Sequence, residues 1–132
     1  MFLEHINHAK TVEPFVMVVA TANESYVPGE ALVIGAAGTV TKCTGANTPQ
    51  FICQSKKENA VAGDVISVTL VNEQQMLEVP LSAAGTSLKV GNKVTVGTDG
   101  VSVTATTDSG VFLIAEILGT AIGDTVRGYF KR

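Results

Sequence analysis

Three glycines, Gly29, Gly35 and Gly38, recur as Gly91, Gly97 and Gly100, displaced by about 62 positions in a chain of 132 residues. The apolar pair Phe51-Ile52 recurs as Leu113-Ile114, and Gly63-Asp64 recurs as Gly123-Asp124, the last displaced by 60, so one loop differs in length by two residues. Turn residues fix where a chain reverses and apolar pairs fix where it is buried; repeating both at one spacing holds the chain to two copies of one backbone plan. Each copy has about 60 residues and few aromatics, which leaves a marginal core in isolation, so a single compact body whose halves share a core is expected. Repeated architecture without repeated chemistry points to a building block.

Apolar residues recur with period two, and helical spacing is scarce. Phe15 to Ala20 is an unbroken apolar run short enough for a buried strand, and its β-branched content favours strand over helix. Ala31 to Ile34 follows a Pro-Gly turn; after Gly35-Ala36-Ala37-Gly38 comes Thr39 to Cys43, so a tight hairpin with glycine supplying positive φ is predicted. Gln50 to Gln54 and Val65 to Val71 complete the first copy. In the second copy the same plan predicts strands over Gln75 to Leu81, Lys93 to Val96, Val101 to Ala105, Val111 to Ile117 and Thr125 to Phe130. About ten short strands at regular spacing indicate an all-β fold, a small barrel or sandwich. Helix is expected only as single turns near Lys57 to Ala62 and near Ala83. The organisation is an N-terminal arm over residues 1–11, a first pseudo-repeat over 12–71 and a second over 72–132.

Charged residues make up 16% of the chain and apolar residues 45%, with a net charge of −3. An ordinary soluble domain carries roughly 25% charged residues, so a surface this sparse in charge fits either an economical Val/Thr/Ala/Gly β-protein or one partly covered by a partner. No basic field draws nucleic acid or an anionic membrane. No apolar run reaches the roughly 18 residues of a bilayer span, and the opening residues lack a secretory pattern, so synthesis in the cytoplasm is expected. Cys43 and Cys53 align with Ala105 and Ala115 of the second copy and read as buried thiols; a disulfide across a hairpin is the open alternative.

The residues offer little to a catalyst. His5 and His8 are the only histidines, both in the arm; with Glu4 they could form at most a weak metal site, and they lie too far from the body for a Ser-His-Asp or Cys-His arrangement. Asp64 and Asp124 occupy matched turn positions, where a carboxylate accepts backbone hydrogen bonds. Glu30 and Glu116 read as solvent-facing members of strands. Gly35 to Gly38 and Gly97 to Gly100 lead into no helix and are followed by no Lys-Ser or Lys-Thr, so they are turns rather than phosphate loops. The chain has no tryptophan and seven Phe and Tyr in all, which gives no stacking platform for bases or sugars. No catalytic residue, metal site or cofactor is therefore expected, and the chain does not read as an enzyme. The positions not shared between the copies are where specific contacts should lie: the arm residues Met1, Phe2, Leu3, His5, Ile6 and His8, and the polar loop Lys56, Lys57, Glu58 and Asn59.

From Tyr26 to Val71 the order is Pro-Gly, an apolar strand Ala31 to Ile34, a Gly-rich turn, a Thr/Val strand Thr39 to Thr41, and a Gly-Ala segment. Phe51-Ile52-Cys53, a loop containing Ala and Lys, and Gly63-Asp64 before Val65 to Val68 complete it. This order resembles the head-decoration, or cement, proteins of tailed bacteriophages, over about 45 residues of the first copy and 40 of the second. The resemblance implies a structural protein without an active site, bound to the major capsid protein on the outer surface of the head shell, often as a trimer. It also implies an arm that orders on the shell, to which Met1 to Thr11 maps. The tandem copies depart from that pattern and favour a homo-oligomer of trimer order or lower. A small surface β-module that binds a protein or carbohydrate ligand is the alternative reading.

Overall fold

The computed structural model describes residues 2–4 and 15–131, and among these the chain has no helix. Ten strands form two five-stranded antiparallel sheets: β1 (Leu3–Glu4), β2 (Val16–Val19), β3 (Ala31–Ile34), β4 (Val40–Lys42), β5 (Phe51–Cys53), β6 (Val65–Leu70), β7 (Leu77–Pro80), β8 (Lys93–Val94), β9 (Phe112–Ile117) and β10 (Thr125–Phe130). The fold is all-β and its arrangement is sandwich-like. The expected helical turn near Lys57 is instead a β-bridge between Lys57 and Tyr26. Val101 to Ala105 does not form a strand either: only Val103 bridges, to Leu81 and to Val96.

The first sheet has the order β2-β6-β5-β3-β4, and the second has β1-β7-β10-β9-β8. With β1 set aside, the second order is the first with β2, β6, β5 and β3 replaced by β7, β10, β9 and β8, and the place of β4 is taken by the isolated bridges of Val103. The hydrogen bonds give the correspondence residue by residue. Ala20 N donates to Asp64 O at 2.8 Å, and Leu81 N donates to Asp124 O at 2.8 Å. Gly29 N donates to Cys53 O, and Gly91 N to Ile114 O, at 2.8 and 2.7 Å. Ala20 bridges Val40 in parallel as Leu81 bridges Val103, so in each half the end of the first strand touches the third-strand position. Cys53 therefore corresponds to Ile114 and Phe51 to Phe112, one residue away from the alignment that glycine spacing alone predicts.

The turns obey one set of conformational demands. Gly29, Gly38 and Gly63 have φ of 84°, 80° and 91°, and Gly91, Gly100 and Gly123 have 94°, 73° and 89°. These are left-handed values that L side chains adopt only at a cost. After the last glycine of each set comes an aspartate. Asp64 Oδ2 accepts from Val61 N at 2.9 Å and Asp124 Oδ2 accepts from Ala121 N at 3.0 Å, which closes the turn before β6 and before β10.

Two apolar clusters fill the molecule. One lies within the first half: Tyr26, Leu32, Val40, Phe51, Cys53, Ile66 and Val68, with Ala20 and Ala60. The other contains Leu77, Val79, Val94, Phe112, Ile114, Val126 and Phe130 of the second half, together with Ala31, Cys43 and Ile52 of the first and the ring of Phe2. Successive residues of a strand face opposite ways, so Leu32, Phe51 and Cys53 fill one cluster while Ala31 and Ile52 fill the other. That is why Phe51-Ile52-Cys53 has no polar residue: both faces of β5 are covered. Main-chain bonds join the halves as well. Gly45 and Val96 exchange two at 2.9 Å, and Ala31 N donates to Gly100 O at 2.8 Å. Both cysteines are buried and unpaired, and burial pushes the Cys43 thiol up to about 12.

Candidate interaction surface

Phe2 does not belong to a free arm. Its ring is buried against Phe112 and Phe130, with centroids 5.8 and 5.1 Å away, and its N–H donates to Gly29 O at 2.8 Å. Leu3 and Glu4 pair with Glu78 and Leu77 as an edge strand on β7. The first arm residues are thus a staple between the halves, because apolar burial of an aromatic outweighs the entropy of a mobile end. Met1, His5, Ile6 and His8, the other arm contacts read from the sequence, lie outside the described residues.

The loop from Lys56 to Asn59 is held by its backbone and only partly free at its side chains. Lys57 N donates to Tyr26 O and Tyr26 N to Lys57 O, at 3.0 and 2.7 Å. Lys57 Nζ lies 3.1 Å from Asp64 Oδ2; with the Val61 amide, which is the larger influence, it holds the Asp64 carboxyl below its ordinary range. Asn59 takes φ of 46°, and its amide donates to Ser25 Oγ at 3.0 Å. Lys56 and Glu58 stand exposed, 3.4 Å apart, and compensate each other's charge. The loop therefore presents a shaped, neutral tip rather than a basic patch.

The main-chain turn around Tyr26 is closed by its own side chain. The hydroxyl donates to Val40 O at 2.7 Å and accepts from Thr21 N at 2.8 Å, so a fully buried phenol keeps both of its hydrogen-bonding roles. Nearby, Glu30 is not solvent-facing: it is 2% exposed, and Oε2 has no hydrogen-bond partner among the described residues. The Gly100 turn of the second half lies over it and over the Lys42 side chain. Desolvation raises the Glu30 carboxyl to about 7, and Glu24 and Asp99 push the same way against the opposing pull of Lys42 and of a hydrogen bond from the Val27 backbone. Asp99, although desolvation acts to raise it, is held below its ordinary range by the Ser102 hydroxyl and the Val101 amide.

The outward face of the first sheet carries the feature that the sequence reading missed. The run Phe15 to Ala20 is not a buried strand. Phe15, Met17 and Val19 are 61%, 59% and 42% exposed, and Val65, opposite Val19 on β6, is 50% exposed. Val16 and Val18 face inward against the first cluster. The signal was present: a strand that is apolar at both parities asks for cover on both faces, and here only one face has it.

No family model matches the chain, and no curated protein matches it at a significant level. Among solved structures, the N-terminal base of the head fiber gp8.5 of bacteriophage phi29 superposes with a TM-score of 0.60 at 18% identity, covering 89% of this chain and 95% of that one. The two chains share a fold over nearly their whole described length.

Proposed function

We propose that the protein is a non-enzymatic structural component of a phage virion, held on the outer surface of the head shell by the major capsid protein as a decoration or cement protein. The observation that carries this reading is the end-to-end fold likeness to the base of a phage head fiber, a protein whose own name places it on a head. The low charge, the all-β build and the resemblance of Tyr26 to Val71 to decoration proteins support it. A shell-binding protein works through area and repetition, which strands and apolar patches supply. Contacts to the shell are assigned to His5, Ile6 and His8 and to the Lys56 to Asn59 tip.

Cosedimentation with expanded capsids tests this directly: the protein should pellet with shells and protect them from disruption. Replacing His5, Ile6 and His8 by serine should weaken attachment while the melting curve stays in place, because Phe2 is left untouched. No attachment to any shell, with specific retention on a glycan array instead, would overturn the reading in favour of a surface carbohydrate-binding module.

A further inference from the structure

The outer edge of β2 is bare among the described residues: β2 pairs with β6 along Val16 to Val19, and on its other side only Ala20 bridges Val40. In the second half, the corresponding edge of β7 is covered by β1, at Glu78 and Leu77, the counterparts of Met17 and Val16. The same backbone therefore accepts a strand at this place. The two edges also differ in how they are guarded. Edge strands ordinarily carry a charge or a proline against unwanted pairing. β7 has Glu78 and Pro80, whereas Phe15 to Ala20 has neither charge nor proline.

We propose that β2 is a self-association surface, on which a second copy of the chain sets its own β2 antiparallel across a two-fold axis, joining two first sheets into one continuous sheet. Three observations select a second copy as the occupant. The strip formed by Phe15, Met17, Val19, Val65 and Ser67 is uncharged, so a partner recognised by charge finds no counter-charge, whereas an identical strip is complementary in charge to itself. A two-fold pairing sets outward-facing apolar residues beside one another and supplies donors and acceptors to both edges at once. Burying the strip also gives the outer parity of Phe15 to Val19 the cover that its composition calls for.

The strip exposes on the order of 400 Å² per copy, about half of what each partner contributes to a standard interface. Association in free solution is accordingly weak, and it becomes effective where copies are held close together. Only this last step rests on the proposed place on a capsid shell; the pairing itself does not.

Sedimentation velocity over a range of concentrations tests the pairing with no shell present. The expected result is a reversible monomer–dimer equilibrium with a dissociation constant of roughly 0.1–1 mM. Met17→Lys should leave only monomer with its thermal midpoint unchanged. A second measurement covers loss of folding in that variant: under mild oxidation, Met17→Cys should yield a disulfide-linked dimer, and Glu78→Cys on the strand covered by β1 should not. A wild-type protein that stays monomeric throughout, an oligomer that Met17→Lys leaves intact, or equal cross-linking at the two positions would overturn the proposal. Failure of shell binding with a β2-dependent dimer would sink the capsid reading alone.

Discussion

On the outward face of the first sheet, Ser67 lies across from Met17 with Ser55 beside it; at the corresponding places in the second sheet, Arg127 lies between Glu78 and Glu116. Arg127 Nε donates to Glu78 at 2.8 Å and its Nη1 to Glu116 at 3.0 Å, so this face is laced by charge. The other is apolar and bare. The interior shows the same contrast on matched rungs. Phe51 pairs with Leu70, which is 48% exposed, and Phe112 pairs with Phe130, which is 1% exposed beneath Phe2. Cys53 pairs with Val68 and Ile114 with Gly128, so bulk has moved from one strand to the other at constant geometry. A Cβ on Gly128 would meet Leu113 O and the Phe112 ring. The lesson is a division of labour: turn glycines and capping aspartates set the backbone of both halves, while strand exteriors decide what each half meets.

The contrast can be broken most forcefully at the rung occupied by Leu70 and Phe130. Phe130→Ala should cost about 3–5 kcal/mol in chemical denaturation, and Leu70→Ala should stay within about 0.5 kcal/mol. Equal costs would mean that the two rungs are not differently buried.

Next comes Glu30, whose counterpart in the second half is Asn92: Cys53 N donates to Glu30 O as Ile114 N donates to Asn92 O. Glu30 is raised in the folded state to about 7, from its ordinary value of 4.5. Between those values the unfolded chain has lost its proton and the folded chain has kept it, so stability falls as pH rises through this window and levels off above it. The loss should be roughly 3 kcal/mol. Glu30→Gln should flatten the profile and stabilise the protein above neutrality, whereas Asn92→Asp should introduce no comparable slope. Urea titrations at a series of pH values decide between these outcomes.

The turns should behave alike. Gly63→Ala and Gly123→Ala each force a side chain into a left-handed conformation and should each cost about 1–2 kcal/mol. A large inequality between them, measured by thermal unfolding, would show that the shared backbone plan does not carry shared energetics. The smallest effect is expected at Arg127→Ala, a modest drop in melting temperature that shrinks as salt is added, because the ion pairs are partly exposed.

Much of this architecture was legible from glycine and aspartate spacing, because left-handed turns admit few residue types and the period-two strands between them need no long-range information. The register of β5 against β9 was not legible. Lengths differ by a residue in several loops, and only the hydrogen bonds show that Cys53 matches Ile114 rather than Ala115. Glu30 was misread because its burial comes from the Gly100 turn, seventy positions away, and alternation along a strand carries no trace of such a neighbour. Phe2 was misread for a related reason: an aromatic just ahead of the largely polar stretch Glu4 to His8 looks like part of a tail until the Phe112 and Phe130 rings are seen beside it. The β2 edge was legible in principle, since its residues are apolar at both parities. A strand covered on both faces and one covered on a single face read alike.

The three residues of β5 have a further consequence for motion. Because Phe51 and Cys53 are anchored in one cluster and Ile52 in the other, no opening confined to a single half can free this strand from both. Its amides should rank among the slowest to exchange with deuterated solvent, at rates set by global unfolding, while those of β2 exchange through local fraying. A slow band at β5 would mark the molecule as one cooperative unit, with its most persistent structure at the wall between its two interiors.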